Sequence, residues 1–209
     1  MSLHLLIGLI GLLYVVVFGV MALLRREGLS IQFAVESVCL TAIAVIVVWL
    51  TPIQIHPVLF LLFLYVITLR VRILVDLANV FARRGNYVLA ERVYERASHF
   101  WPDQTSDLII KVNHAILLLQ KNQLNESISL FKDVLSQVNQ GYLGVKYEAA
   151  AHFNLGVAYL RSNNNSLATV EFNSVLDTWP ASLYARRAQE ALERQRTKPT
   201  THDDGKPAE

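Results

Sequence analysis

The apolar residues of this chain follow two patterns, which change near residue 70. Before that point they form long unbroken runs, and after it they recur at the spacing of helices with one buried face. Residues 3–24 carry no formal charge and as a helix would measure about 33 Å, enough to cross a membrane. A second run covers residues 31–51. The pattern predicts an all-α chain with transmembrane helices followed by a soluble helical domain.

A third apolar run follows a short break that contains Pro52 and Pro57. Residues 53–69 number 17, which is the lower limit for a spanning helix. Residues 58–84 contain no Gly or Pro, so the sequence also predicts one continuous helix over about 57–84, joining the last span to the soluble part. The expected membrane domain is residues 1–69, with spans at about 3–24, 31–51 and 53–69.

Small residues recur within the first two predicted spans. Such residues let membrane helices approach closely, so they predict tight packing between the two spans rather than a transport role. They are Gly8, Gly11 and Gly19 in the first span and Ser37, Thr41 and Ala44 in the second.

The charged residues indicate an orientation. Arg25 and Arg26 follow the first span, Arg70 and Arg72 follow the third, and the loop between spans two and three has no formal charge. Three spans place both arginine pairs on one side, which the positive-inside rule makes cytoplasmic. We therefore expect an integral protein of a bacterial inner membrane with a cytoplasmic C-terminal domain. A cleaved signal peptide is the alternative for the first run, which is long for one and has no preceding Lys or Arg.

Glu36 is the charged residue within the predicted spans. An intramembrane carboxylate is a candidate for a proton or ion path. Its position near the arginine end of span two favours another interpretation, in which Glu36 reaches the interface or pairs with Arg25 or Arg26.

The soluble part contains an internal repeat. Residues 90–102 and 168–180 share an alanine, an aromatic residue four positions later, a small apolar residue at seven, and Trp-Pro at eleven and twelve. A middle copy begins at Ser127, and the anchors Ala90, Ser127 and Ala168 are 37 and 41 residues apart. These spacings fit a helical pair of about 34 residues with inserts. The predicted domain is residues 70–196, with repeats at 71–104, 108–141 and 149–182, a capping helix at 182–196, and a disordered tail at 197–209.

This pattern resembles the tetratricopeptide repeat, most closely in the third copy. There Leu155-Gly156, Tyr159, Ala168 and Phe172 stand at the family's positions. The resemblance implies an α-solenoid of three helical pairs. In each pair small residues allow the helices to approach and aromatic residues fill the space beside them.

The resemblance also implies a binding groove lined by the first helix of each pair. Val75, Ala150 and Asn154 stand where relatives that bind an acidic chaperone tail have Lys or Arg. The expected ligand is therefore an apolar or amphipathic protein segment. The alternative is that the groove residues pack on the chain's own inserts or last helix. The expected groove residues are Val75, Asn79, Ile109, Val112, Asn113, Ile116, Phe153, Asn154 and Val157.

No set of residues predicts catalysis or a cofactor. The chain has no Gly-x-Ser-x-Gly or Walker motif, and its single cysteine, Cys39, joins no zinc-site spacing. His152 stands at an aromatic position of the repeat, which indicates packing. Residues 70–209 contain 17 Lys and Arg and 15 Asp and Glu, so their net charge is nearly neutral. Nucleic acid is therefore not the expected partner, since it requires a clustered positive surface.

The functional expectation is therefore a noncatalytic membrane-anchored scaffold. It would dock a protein partner at the cytoplasmic membrane face, as an assembly factor for a membrane complex, with membrane lipid as its other partner. The alternative is an accessory subunit of a transporter or enzyme complex, in which the three spans carry the function. Loss of function on neutralising Glu36 would favour that alternative.

Overall fold

The computed structural model describes residues 2–24, 30–138 and 141–197. Within these ranges the chain forms ten α-helices and no strand, which confirms the predicted all-α class for the described residues. Arg25 and Arg26 lie outside the described residues. So does the predicted tail from residue 198 onward, while Thr197 is the last residue of the final helix.

The N-terminal part consists of three apolar helices, two of which are long and apolar enough to cross a membrane. The second begins where the hydroxyl of Ser30 accepts a hydrogen bond from the Phe33 amide at 3.1 Å. The third has 12 residues and measures about 18 Å, so it cannot cross a hydrocarbon core alone. The helices are α1 (Leu3–Leu24), α2 (Ile31–Leu50) and α3 (Pro57–Thr68).

Close packing of α1 on α2 is confirmed at Gly11. A Cβ atom added to Gly11 would overlap the side chain of Thr41, and one added to Gly8 would lie 3.6 Å from Val45 Cγ2. A Cβ on Gly19 would meet no atom within 4 Å, so the packing prediction does not extend to that end of α1. The apolar side chains between the three helices are Ile7, Tyr14, Ala44, Phe60 and Leu64.

Replacing Gly11 by alanine should therefore separate α1 from α2. We expect the free energy of unfolding to fall by about 1–3 kcal/mol, because the added methyl group has no space. Gly19→Ala is the matched control in the same helix and should be neutral or raise it by about 0.5–1 kcal/mol. The measurement is denaturant unfolding of the full chain in detergent micelles. Equal effects of the two changes would contradict this packing.

The predicted continuous helix over residues 57–84 is wrong. α3 ends at Thr68, α4 begins at Arg70, and the two helix axes differ by 71°. Leu69 connects them with φ −105° and ψ 16°, outside the helical region. Neither Gly nor Pro marks this bend, so its cause is tertiary. The predicted third span exists only if the bent pair of α3 and α4 is counted as one span.

The helices after the bend pack in consecutive pairs. α4 packs against α5, α6 against α7, and α8 against α9, while α10 covers the last pair. Neighbouring pairs also touch through α5 with α6 and α7 with α8. The bounds are α4 (Arg70–Arg83), α5 (Tyr87–His99), α6 (Gln104–Gln120), α7 (Leu124–Ser136), α8 (Val145–Arg161), α9 (Asn165–Thr178) and α10 (Leu183–Thr197).

Small residues line the contact within each pair, as the repeat pattern predicted. Ser127 of α7 donates a hydrogen bond to the Ala115 carbonyl of α6 at 2.9 Å. A Cβ on Gly156 would lie 2.7 Å from Cε1 of Phe172, so the Phe172 ring packs directly on the α8 backbone. The buried small residues are Ala78, Ala90, Ala115, Ser127, Gly156 and Ala168.

Residues with positive φ form turns between paired helices. Gly85 has φ +78° after α4, and Asn163 has φ +59° after α8, both in the left-handed region that Gly and Asn tolerate. Asp103 precedes α6, and its Oδ1 accepts a hydrogen bond from the Ser106 amide at 2.7 Å. Asp103 is therefore the N-cap of α6.

Candidate functional site

An ion pair joins the membrane helices to the helical pairs. Glu36, on the second turn of α2, faces Arg70, the first residue of α4. Nη1 of Arg70 lies 2.6 Å from Oε2 of Glu36, and Nη2 lies 3.0 Å from Oε1. The pair is thus bidentate, the geometry in which a guanidinium binds a carboxylate most strongly. The sequence suggested Arg25 or Arg26 as a partner for Glu36, and both of these lie outside the described residues.

Arg70 also donates hydrogen bonds to backbone carbonyl groups of α3 and of the connection between α5 and α6. Its Nη1 donates to the Ile67 carbonyl of α3 at 2.9 Å. Its Nε donates to the Phe100 carbonyl at 3.2 Å and its Nη2 to the Trp101 carbonyl at 3.4 Å. Phe100 and Trp101 belong to the connection between α5 and α6. One side chain therefore holds the bend after α3 and the connection of the first helical pair together.

Gln32, one turn before Glu36 on α2, completes this arrangement. Its Nε2 donates to Oε1 of Glu36 and to the Trp101 carbonyl, both at 2.9 Å. We name the side chains of Gln32, Glu36 and Arg70 the polar junction. Both carboxylate oxygens of Glu36 accept hydrogen bonds within it, which gives this residue a structural role.

A second polar contact fixes the end of α3 within the membrane part. The hydroxyl of Thr68 donates to the Leu64 carbonyl at 2.8 Å. Since that hydroxyl has one proton, Tyr14 is the donor in the 2.7 Å hydrogen bond between the Tyr14 and Thr68 hydroxyls. Tyr14 of α1 therefore holds α3 just before the bend.

A cleft of about 1400 Å³ lies between the membrane helices and the helical pairs. The polar junction forms part of its wall, because Gln32, Glu36 and Arg70 all line it. Most other lining side chains are apolar, and they come from both parts of the chain. We name this space the junction cleft. Its apolar lining includes Phe18, Met21 and Leu24 of α1, Ile31 and Val35 of α2, Ile73 and Val75 of α4, Ile109 of α6, and Trp101 and Trp179.

The apolar residues of the predicted groove are divided by the structure. Val75 and Ile109 line the junction cleft, although little of either side chain is exposed. Val112 is 1% exposed and belongs to the core. The other three apolar groove residues are partly buried and pack against that core: Ile116, Phe153 and Val157. Of the nine predicted groove residues, Val75 on α4 and Ile109 on α6 are therefore the two that line the cleft.

The position of Phe153 agrees with the alternative in which groove residues pack against other parts of the chain. Its ring centroid lies 5.8 Å from that of Phe172 and 5.7 Å from that of Tyr184 in α10. The side chain thus packs on the chain's own last helix, so truncating Phe153 would also disturb the fold. It cannot serve as a clean test of partner binding.

The three asparagines of the predicted groove make hydrogen bonds within the chain. Asn79 Oδ1 accepts from the Tyr94 hydroxyl at 2.6 Å. Asn113 and Asn154 each donate from Nδ2 to the carbonyl four residues earlier, at 2.7 Å. None of the three lines the junction cleft. Burial raises the pKa of the Tyr94 hydroxyl, which keeps it protonated as the donor to Asn79.

Two glutamates of the helical pairs make polar contacts with side chains of a neighbouring helix or helix end. Nζ of Lys121 lies 2.8 Å from Oε2 of Glu91, and its hydrogen bond holds the pKa of that carboxyl below its usual range. Nδ1 of His152 lies 2.7 Å from Oε2 of Glu171, so His152 joins α8 to α9. Among the described residues, no group of three His, Cys, Asp or Glu side chains could hold a metal ion.

Sequence reasoning missed the polar junction and the exposed Trp101. Glu36 and Arg70 are 34 positions apart, and no local pattern pairs them. The available signal was weak: Gln32 precedes Glu36 by one helical turn, and a Trp-Pro pair ends the first repeat.

No protein-family model matches the chain, and no curated protein matches it. The likeness of the helical pairs to tetratricopeptide repeats therefore rests on the spacing of the residues and remains a proposal.

Proposed function

We propose that this protein is a noncatalytic membrane-anchored scaffold of the tetratricopeptide type, which docks a protein partner at the cytoplasmic membrane face. The single observation that carries the proposal is the junction cleft, because its walls come from the membrane helices and from the helical pairs together. A partner bound there would contact both parts at once. This arrangement suits an assembly factor for a membrane complex.

The chemistry of the cleft favours an apolar or amphipathic segment as the ligand. Ile73 and Trp179 line it with side chains that are more than a third exposed. Met21 and Leu24 continue the apolar surface along α1 towards its end. An exposed apolar surface of this kind marks a binding site for a protein segment or a membrane. A segment that leaves the bilayer beside α1 could enter the cleft without crossing water.

The polar junction supports the scaffold over the accessory-subunit alternative. A proton or ion path needs a carboxylate that can release its partner, whereas Glu36 is bound by Arg70 and Gln32. We propose that Glu36 holds the helical pairs in a fixed position beside the bilayer. The orientation, with this domain in the cytoplasm of a bacterium, rests on a count of three spans, which places the arginine pairs at 25–26 and 70/72 on the same side of the membrane.

Ile73→Asp should release the partner, because it places a charge on the apolar wall of the cleft. Burying an isoleucine is worth about 1.5–3 kcal/mol, so recovery of the partner should fall about tenfold or more. The matched control is Val170→Asp on α9, an exposed valine outside the cleft. The measurement is purification of the full chain in mild detergent, followed by quantitative mass spectrometry.

Circular dichroism of both purified variants should first show native helix content. If Ile73→Asp and Val170→Asp then retain the same proteins in the same amounts, the cleft is not the binding site. If Glu36→Gln abolishes transport or turnover by a co-purified complex while the chain remains stable, the accessory-subunit alternative is correct.

A further inference from the structure

Two aromatic side chains in the connection between α5 and α6 are exposed. Phe100 is 50% exposed, and Trp101 is 83% exposed, the largest exposed fraction of any large hydrophobic side chain within the described ranges. Exposed apolar side chains that lie next to each other, unlike single ones, mark candidate contact sites for a protein or a membrane. Their environment is therefore informative.

The connection is fixed at the level where α2 begins. The Trp101 carbonyl accepts a hydrogen bond from Gln32, the second residue of α2, and the Phe100 carbonyl accepts one from Arg70. Because α2 is long and apolar enough to cross a membrane, its first turn lies at the boundary between hydrocarbon and headgroups. Phe100 and Trp101 thus lie at that boundary as well.

Trp49 occupies the opposite end of α2 and is 69% exposed. From Gln32 to Trp49 the helix rises by about 26 Å, close to the thickness of a hydrocarbon core. Tryptophan is enriched at both interfaces of membrane proteins. Phe33 lies at the N-terminal end of α2, but its ring packs against other rings. The Phe33 centroid lies 5.7 Å from that of Tyr14 and 5.8 Å from that of Phe18. The exposed aromatic residues at this level come from the α5–α6 connection instead.

The backbone of Trp101 supports a function for its side chain. Trp101 has φ +47°, in the left-handed region that a bulky residue rarely adopts. Such a conformation costs on the order of 1–3 kcal/mol and persists where the surroundings impose it. The Trp101 carbonyl accepts hydrogen bonds from Gln32 at 2.9 Å and from Arg70 at 3.4 Å.

We infer that Phe100 and Trp101 form a lipid anchor that inserts into the headgroup region of the bilayer beside α2. The inference rests on α1 and α2 crossing a membrane. Trp101 also lines the junction cleft, and the test below requires no protein to be bound there. The anchor gives the helical pairs a contact with lipid in addition to their covalent link through α4. Lipid is the occupant because the anchor is continuous with the membrane surface that α2 defines.

The test uses the full chain with Trp49→Phe and Trp179→Phe, so that Trp101 is the single source of tryptophan fluorescence. The chain is reconstituted in phosphatidylcholine vesicles with acyl chains brominated near the headgroup, or in unbrominated vesicles. We expect brominated lipid to lower the Trp101 emission at least twofold, and acrylamide in the water to quench it weakly. A chain that retains Trp49 alone, with Trp101→Phe and Trp179→Phe, is the positive control.

Trp101 emission that brominated lipid leaves unchanged and acrylamide quenches freely, while Trp49 emission responds to bromine, would overturn the lipid anchor. A blue shift that appears only at high protein density, without bromine quenching, would assign the surface to a second copy and also overturn it. Trp101→Gly removes the side chain and allows the same backbone conformation. Since glycine adopts this φ without strain, the variant should unfold in detergent at the same or a higher denaturant concentration.

Discussion

Arg70→Met should lower the free energy of unfolding of the full chain by about 2–4 kcal/mol, the range for leaving a partly buried charge without its partner. Methionine preserves much of the side-chain volume but none of the hydrogen bonds to Glu36, Phe100 and Trp101. The Glu36 carboxylate would then remain charged beside apolar helices with only Gln32 to bind it. The measurement is denaturant unfolding in detergent micelles.

Two further variants show whether the ion pair causes this loss. Adding Glu36→Gln to Arg70→Met removes the unpaired charge and should recover part of the stability, as a double-mutant cycle would measure. Arg92→Met on α5 is the matched control, since Arg92 is exposed, and it should change the stability by less than about 0.5 kcal/mol. Equal losses for Arg70→Met and Arg92→Met would show that the polar junction contributes nothing.

Gly156→Val should lower the free energy of unfolding by about 2–3 kcal/mol, at the upper end for forcing a side chain into a filled core. The Phe172 ring occupies the space that a side chain at position 156 needs, with its Cε1 atom 2.7 Å from the added Cβ. The ring is fully buried, so it cannot move into solvent. Unfolding followed by circular dichroism measures the effect.

For Gly156→Ala, the two effects on the free energy of unfolding have opposite signs. Helix propensity alone would make this change stabilising by about 0.5–1 kcal/mol, whereas contact with Phe172 makes it destabilising. Combining it with Phe172→Leu should cost less than the sum of the two single changes, because the smaller side chain can yield. A stabilising Gly156→Ala would mean that α8 and α9 do not approach as closely as the structure shows.

Helix positions could be predicted from the sequence because they depend on local patterns. The apolar runs predicted α1 and α2, and the repeated spacing of small residues such as Ala90 and Ala168 predicted which helices pair. The bend at Leu69 could not be predicted in this way. No residue there disfavours a helix, and the bend accompanies contacts of Arg70 with residues 34 positions before it and 30 positions after it.

The candidate site was less predictable than the fold. Val75 and Ile109, two residues of the groove that the repeat resemblance implied, line the junction cleft. Register alone cannot say what covers a face, so it did not show that Val112 is buried or that Phe153 packs on Tyr184 of the last helix. The wall contributed by the membrane helices was also beyond prediction, because it depends on the direction in which α4 leaves the bend.

The central claim is that a partner protein binds in the junction cleft. Its most direct test is a photocrosslinking amino acid placed at Ile73, in the cleft, or at Val170, outside it, in the full chain in native membranes. The account predicts one discrete protein adduct from position 73 and none of the same mass from position 170. Adducts to lipid alone from position 73, or identical protein adducts from both positions, would contradict it.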